Sequence, residues 1–247
     1  MRRVQRNLHS RTHYLLIGSG RLAHHLKNYL QILNLDFSTW NRRESESPLI
    51  LAQTTHVLLA ISDSAIIPFY EKHLKFVDAE VIHFSGALEV PGLHGAHPLM
   101  TFGHDLYSND FYARIPFVVT GRTSLQDFLP DFPNPSFQIL PEQKPYYHAL
   151  CVLGGNFTTL LQQRMLQGFA ELGLPTSAAQ PYIDKITKNV FAAPAAALTG
   201  PLARKDFLTI RKNLKSLAGD PYARIYEAFV SLVFPEYQEG THENPRL

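Results

Sequence analysis

A chain of 247 residues with 45% apolar and 18% charged side chains can bury one large core or two modest ones, and its formal net charge of +2 offers no field for nucleic acid. One cysteine, Cys151, excludes an intrachain disulfide. No run of about 18 apolar residues is present to cross a bilayer, so a cytoplasmic protein with neither membrane nor nucleic-acid partner is the expectation.

Residues 1–12 are basic and lack the apolar stretch of a secretory signal, which reads as a disordered arm. From His13 to Ile17 an apolar strand runs into Gly18-Ser19-Gly20-Arg21-Leu22-Ala23, a Gly-x-Gly-x-x-Ala turn. Such a turn suits a dinucleotide. Gly18 permits the bend, Gly20 admits the pyrophosphate to the backbone, and Ala23 lets the following helix pack close with its amides toward the phosphates. That helix is predicted from Arg21 to about Gln31, with Leu22, His25, Leu26 and Leu30 at helical spacing.

The second strand, Phe37 to Trp40, ends in Asn41-Arg42-Arg43. An NAD site usually places a carboxylate there, roughly 20 residues past the turn. Two guanidinium groups suit a 2'-phosphate instead, so NADP(H) is the expected cofactor. The third strand, His56 to Ile61, is continuously apolar and stops where Ser62 or Asp63 caps a helix. Glu80 to Phe84 is a fourth strand, and Ile115 to Thr120 a further one near an edge, since Pro116 cannot donate to a ladder. Residues 89–110 show no period and read as a long functional loop.

Prolines at 130, 133, 135 and 141 mark a linker over 122–140, after which the chain reads as helical: 150–174, 178–191, 205–217 and 221–233. The fold class is therefore an α/β Rossmann domain with a mostly parallel sheet over 13–121, followed by an all-α domain over 141–247.

Ligands of open parallel sheets bind beyond the carboxyl edge. Cofactor contacts are expected from Gly18, Ser19, Gly20, Arg21 and Leu22 at the turn, from Asn41, Arg42 and Arg43 after the second strand, and from Ile61, Ser62 and Ser85 after the third and fourth. His83 and Ser85 share a face, with His83 equally readable as a buried structural imidazole. His97, before a proline in the long loop, is the better candidate for substrate contact, together with Ser85. Lys144 and His148 lie four apart on one helix face, with Gly155 near the same line and Asn156 to one side. The segment from Pro194 to Pro201 is either a turn between packed helices or a place where Thr199 and Arg204 reach an anionic substrate. The twelve histidines suggest no metal. His9 and His13 have no glutamate between them, His24 and His25 diverge, and His94 and His97 have no thiolate partner.

Taken together, Ile17-Gly18-Ser19-Gly20-Arg21, Trp40-Asn41-Arg42-Arg43, His83-Phe84-Ser85-Gly86-Ala87-Leu88, His97-Pro98-Leu99-Met100-Thr101-Phe102, Lys144-Pro145-Tyr146-Tyr147-His148 and the run from Ala197 to Arg204 resemble a family of uncharacterised Rossmann-like proteins with a C-terminal domain of unknown function. That family is similar to pyrroline-5-carboxylate reductases, ketopantoate reductases and 6-phosphogluconate-type hydroxyacid dehydrogenases. The match runs from Tyr14 to about Phe234 and departs from the pattern at Gly154-Gly155-Asn156 and at Ala193. The resemblance implies an NADP(H)-dependent oxidoreductase acting on a small carbonyl, imine or hydroxyacid held between two domains. It further implies Lys144 or His148 as acid/base, Asn156 as the group that orients substrate, and a homodimer formed through the helical domain. The alternative expectation is a dinucleotide-binding protein without turnover, redox-sensing or structural.

Overall fold

The computed structural model describes residues 12–43 and 52–236. Apart from Thr12, the expected basic arm lies outside them. Two compact units divide the chain, residues 1–162 and 163–247.

The first unit is built on a seven-stranded sheet. In chain order it carries β1 (His13–Ile17), α1 (Arg21–Ile32), β2 (Asp36–Trp40), β3 (His56–Leu59), α2 (Asp63–Phe69), β4 (Glu80–His83), β5 (His94–Pro98), α3 (Asn109–Tyr112), β6 (Phe117–Thr120), β7 (Ser136–Gln138) and α4 (Lys144–Cys151). The sheet order is β2-β1-β3-β4-β5-β6-β7, and every pairing is parallel except β5 with β6. The chain steps outward from β1 to β2, then crosses back to β3. That reversal between β1 and β3 is the crevice where an open sheet accepts a ligand.

Alternation along the strands divides the core between the two faces. Tyr14, Leu16, Leu58 and Ile82 pack with Leu26 and Leu30 of α1, while Leu15, Ile17, Val57, Leu59 and Val81 pack with Ile66 of α2.

Two expectations about this unit are corrected, while a third holds for a different reason. The strand over 115–120 lies beside the edge strand β7, near an edge as expected, but is paired on both sides. Pro116 precedes its first residue, so the missing N–H falls outside the ladder. Residues 89–110 are no uniform loop, since they hold β5 and α3. In β5 the sequence His94-Gly95-Ala96-His97-Pro98 lacks the branched side chains that announce a strand, because Gly95 must stay small for a reason that lies in the site. Residues 122–140, expected as a linker, supply β7 and four fully buried side chains, Leu125, Phe128, Leu129 and Phe132. Asn134 stitches this stretch to the core: it accepts from the Tyr29 hydroxyl at 2.7 Å and donates to the carbonyls of Tyr112 and Ile115.

Following α4, a π-helical turn (Val152–Phe157) leads into α5 (Thr158–Glu171). The remaining helices are α6 (Gln180–Ala192), α7 (Gly200–Ala203), α8 (Phe207–Ser216) and α9 (Tyr222–Val233), each within a few residues of its predicted span where one was drawn. The second unit has its own small core of Ile210, Leu214, Val230 and Phe234. Arg164 adds an ion pair to Asp220 at 2.6 Å, and Asp220 accepts from the Tyr222 amide at the start of α9.

Candidate functional site

At the β1/β3 reversal a cleft of about 520 Å³ opens, lined by the turn residues Gly18, Ser19, Gly20, Arg21 and Leu22, by Asn41 and Arg42, and by Ile61 and Ser62. Of the expected cofactor contacts, only Arg43 and Ser85 are not among its lining residues. Trp40, Ala60, Ala65 and Phe69 line it without having been singled out from sequence. Their signal was positional, since each lies at a strand end or on the first turns of α2.

The two glycines of the turn do different work. Gly18 has φ +136°, and a Cβ there would sit 2.2 Å from the carbonyl oxygen of Ala60. The turn therefore passes against β3 with no space for a side chain. A Cβ on Gly20 would meet nothing within 4 Å, leaving open space beside the backbone. Gly20 also caps α1 without a side-chain hydrogen bond, and the first turn carries no acidic residue. The amides at the start of α1 are thus left for an external acceptor, the arrangement that binds phosphate. Beyond β2 the Asn41 side chain accepts from the Arg43 amide at 3.0 Å, and Arg42 and Arg43 are exposed. A pyrophosphate fits this cradle, and the three described residues directly after β2, Asn41, Arg42 and Arg43, together carry positive rather than negative charge.

A second group of polar residues gathers at the carboxyl ends of β4 and β5. Ser85 is buried, and its hydroxyl donates to Asp63 Oδ2 at 2.6 Å while accepting from the amides of Ala87 and Leu88. Expected to touch cofactor and substrate, it ties the start of α2 to the turn after β4. Ser62 is the N-cap of α2 with no side-chain cap bond, Asp63 being drawn to Ser85.

His97 lies on β5 rather than in a loop. Its Nδ1 is 2.7 Å from the Tyr147 hydroxyl, and the His148 ring stands edge-on to it at 6.2 Å. Both imidazoles crowd Gly86: a Cβ there would lie 2.5 Å from His148 Cδ2 and 3.0 Å from His97 Nε2. Burial lowers the His97 pKa to about 4, with His148 and Lys144 adding to the effect, so the ring is neutral near neutral pH.

Lys144 opens α4 just after a tight turn (Pro141–Gln143), in which the Gln143 side chain accepts from the Leu140 amide. Pro145 occupies the first helical turn, where its missing N–H costs nothing. The Lys144 side chain is 1% exposed. Its ammonium donates to the Leu88 carbonyl at 2.5 Å and stands 3.8 Å from Glu89, which also accepts from the Thr120 hydroxyl. A Cβ on Gly95 would lie 2.7 Å from Lys144 Nζ and 2.5 Å from Thr120 Oγ1, which explains the glycine in β5. Burial lowers the Lys144 pKa, opposed by Glu89 and Asp63. Next to it His83 is fully buried with neither ring nitrogen hydrogen-bonded, and burial lowers its pKa to about 3.

The structure therefore gathers Lys144, His148, His97 and Ser85 around the ends of β4 and β5. It does not bring Asn156 into hydrogen bonding with any of them: Asn156 is exposed within the π-helical turn. A wider winding after Val152 also breaks the 100° per residue arithmetic that put Gly155 near the line of Lys144 and His148 and Asn156 to one side of it. Thr199 and Arg204 are exposed residues of the second unit, flanking α7. Tyr147, Gly95, Glu89 and Thr120 were missed. Only Tyr147 lay within a quoted motif, and nothing in its spacing pointed across to β5.

A cleft at the reversal of a mostly parallel sheet, with a glycine turn opening a helix onto it, defines a Rossmann-type fold. Residues 115–232 match the family described as Domain of unknown function (DUF2520), in keeping with the resemblance to an uncharacterised Rossmann-like family. That match begins inside the sheet, at the residues leading into β6. No curated protein matches the chain. Among solved structures, a provisionally assigned NADP oxidoreductase from Bacteroides fragilis is 23% identical with a TM-score of 0.74, over 91% of this chain and 98% of that one. Protein TM1727 from Thermotoga maritima is 19% identical with a TM-score of 0.64, over 89% and 96%. An imine reductase from Streptomyces aurantiacus is 12% identical with a TM-score of 0.59, over 92% and 100%. At such identities the likeness is one of fold. No helix among the described residues is long and apolar enough to cross a membrane.

Proposed function

We propose that the protein is an NADP(H)-dependent oxidoreductase of a small carbonyl, imine or hydroxyacid substrate. The observation that carries this reading is the cleft at the β1/β3 reversal, where the open N-terminus of α1 and Arg42 face a volume of about 520 Å³ and β2 runs directly into Asn41-Arg42-Arg43. The start of α1 and Gly20 hold the pyrophosphate, and Arg42 with Arg43 holds a 2'-phosphate. A bound dihydronicotinamide supplies a hydride. The fold neighbours support the same class, since two of the three are named as an NADP oxidoreductase and an imine reductase.

The polar group around Gly86 favours turnover over mere dinucleotide binding. A sensor has no need of an imidazole anchored through one nitrogen beside the sheet's carboxyl edge, whereas a reductase needs a donor within reach of the reacting atom. Lys144 stands behind this group as a buried positive charge, and His148 forms part of the wall at Gly86.

A homodimer through the helical part is proposed with it. Along α6, Tyr182, Ile186 and Val190 follow one another at a spacing of four and are 60%, 46% and 46% exposed, with Phe191 at 85%. A stripe of this kind on a helix is a surface for a partner, and a second copy of the chain always carries its complement under two-fold symmetry.

Thermal midpoints with NADPH, NADP, NADH and NAD at matched concentrations test the cofactor reading, because a ligand selective for the native state raises the midpoint by mass action. The expected result is a rise with NADPH and NADP well above that with NADH and NAD. No rise with any of the four overturns it.

A further inference from the structure

We propose that the imidazole of His97, held by Tyr147, is the hydrogen-bond and proton donor to the oxygen or nitrogen of the reacting C=O or C=N group, a role the sequence had given to Lys144 or His148. The assignment rests on the oxidoreductase reading above.

Three groups compete for this role around Gly86, and their surroundings separate them. Lys144 is buried, and its ammonium is committed to the Leu88 carbonyl, with Glu89 beside it. His148 turns a carbon, Cδ2, toward Gly86, and among the described residues neither of its nitrogens is anchored by a hydrogen bond. His97 has one nitrogen fixed and one free. Its Nδ1 meets the Tyr147 hydroxyl at 2.7 Å, and its Nε2 lies beside Gly86 without a hydrogen-bond partner among the described residues. Gly86 follows β4 at the sheet's carboxyl edge, and a Cβ there would press on both His97 Nε2 and His148 Cδ2, so glycine is what lets the two rings stand at this edge.

Anchoring fixes the chemistry of the free nitrogen. A neutral imidazole carries one proton, so a hydroxyl that donates to Nδ1 places that proton on Nε2, the nitrogen beside Gly86 at the sheet's carboxyl edge. Burial and the Cys151 thiol, one helical turn along α4, raise the Tyr147 pKa, so the hydroxyl keeps its proton. His97 itself is kept neutral by burial. A neutral imidazole aimed at a carbonyl polarises it without the desolvation cost of a buried cation.

The balance of the step is simple. As the hydride adds to carbon, the π electron pair moves to oxygen or nitrogen. That atom takes the Nε2 proton while the Tyr147 proton shifts to Nδ1; solvent then protonates Nε2, and Nδ1 returns its proton to Tyr147. One solvent proton is consumed per reduction, and each residue ends as it began. His97 is then the catalytic residue and Tyr147 a positioning residue.

Histidine side-chain nitrogen NMR of the isotope-labelled protein reads the tautomer without any substrate. His97→Phe assigns the His97 resonances, and Tyr147→Phe moves the same resonances as a second assignment. The expected result is a neutral ring with its proton on Nε2 in the wild type and a mixture of tautomers in Tyr147→Phe. A proton on Nδ1 overturns the donor role. NADPH oxidation with pyruvate as carbonyl probe and 1-pyrroline as imine probe gives the second readout: His97→Phe lowers kcat by roughly 100-fold or more while the thermal shift with NADPH is retained. A wild-type kcat in His97→Phe overturns the proposal. The two readings fail separately. Loss of the NADPH shift in the wild type removes the oxidoreductase reading, and the donor role with it, even where the tautomer is as expected.

Discussion

Lys144 reaches the Leu88 carbonyl with its ammonium at 2.5 Å, so the first residue of α4 is fastened to the chain that follows β4. A lysine used in this way is an internal strut whose charge is costly to bury and costlier to strand. Removing the side chain leaves a cavity over Gly95 and an unpaired carbonyl. Lys144→Ala should therefore destabilise by about 2–5 kcal/mol. Lys144→Met fills the same volume but still leaves the Leu88 carbonyl unpaired, so it should cost less than the alanine, about 1–3 kcal/mol. Urea unfolding of both variants decides between a strut and an exposed acid/base, for which the two substitutions would be equally mild.

Gly18 and Gly20 make opposite predictions two residues apart. Gly18→Ala forces a Cβ to 2.2 Å from the Ala60 carbonyl oxygen at φ +136°. The backbone conformation alone costs about 1–3 kcal/mol, and the steric conflict adds to it. Gly20→Ala meets nothing within 4 Å at an ordinary φ of −78°, so the thermal midpoint should hold while NADPH affinity falls, because the methyl enters the space reserved for phosphate. Equal NADPH affinity in wild type and Gly20→Ala would remove the phosphate from this turn.

Arg42 and Arg43 stand after β2 where a carboxylate would read a free ribose hydroxyl. Loss of charge-assisted bonds to a 2'-phosphate is worth about 1.5–3 kcal/mol. The double variant Arg42→Ala with Arg43→Ala should accordingly weaken NADPH by roughly ten- to a hundredfold and NADH hardly at all. Calorimetric titration with both nucleotides reads the difference, and parallel losses would contradict a phosphate contact.

The apolar stripe of α6 gives a solution test of assembly. Ile186→Glu with Val190→Glu places two charges on a face that a partner copy would bury, and sedimentation should then shift from dimer to monomer. A wild-type chain that sediments as a monomer at all concentrations would refute the dimer.

Much of this protein was legible before its structure, and the reasons are local. The turn at residues 18–23 announces itself because a strand, two glycines and a helix start are contiguous, and the cleft gathers nearly all the residues named from it. Regular helices such as α9 keep a 3.6-residue period that sequence displays directly. The illegible parts are those where one element answers to another far along the chain. Gly95 and Ala96 hide β5 because they are small on behalf of Lys144 and the sheet's packing. Leu125, Phe128, Leu129 and Phe132 sit among prolines that suggested a linker, and only the buried core shows why they are apolar. The π-helical turn is invisible to a fixed 100° step, so the register of Gly155 and Asn156 could not be read from spacing. Tyr147 meets His97 across fifty residues, a pairing no spacing rule contains.

His83 and His97 set how the protein responds to acid. Both folded-state values are depressed, to about 3 and about 4, against 6.5 for the unexcited side chain in the unfolded chain. Above 6.5 both states are neutral at these positions and stability is independent of them. As the pH falls below that value the unfolded chain takes up protons that the folded one refuses, so the folded state loses about 1.4 kcal/mol per pH unit for each histidine. The loss from His97 levels off near pH 4 and that from His83 near pH 3. His25, also lowered by burial, acts with the same sign. His83 offers the cleaner variant, because its two ring nitrogens are buried without partners. His83→Leu removes those orphaned groups and should raise stability at neutral pH by about 1–3 kcal/mol. Between pH 6 and pH 5 its unfolding free energy should fall less steeply than that of the wild type, by about 1.4 kcal/mol per pH unit. Identical slopes in the two proteins would mean that His83 is protonated in the folded state, and the polar group beside Lys144 would then need a negative partner to balance it.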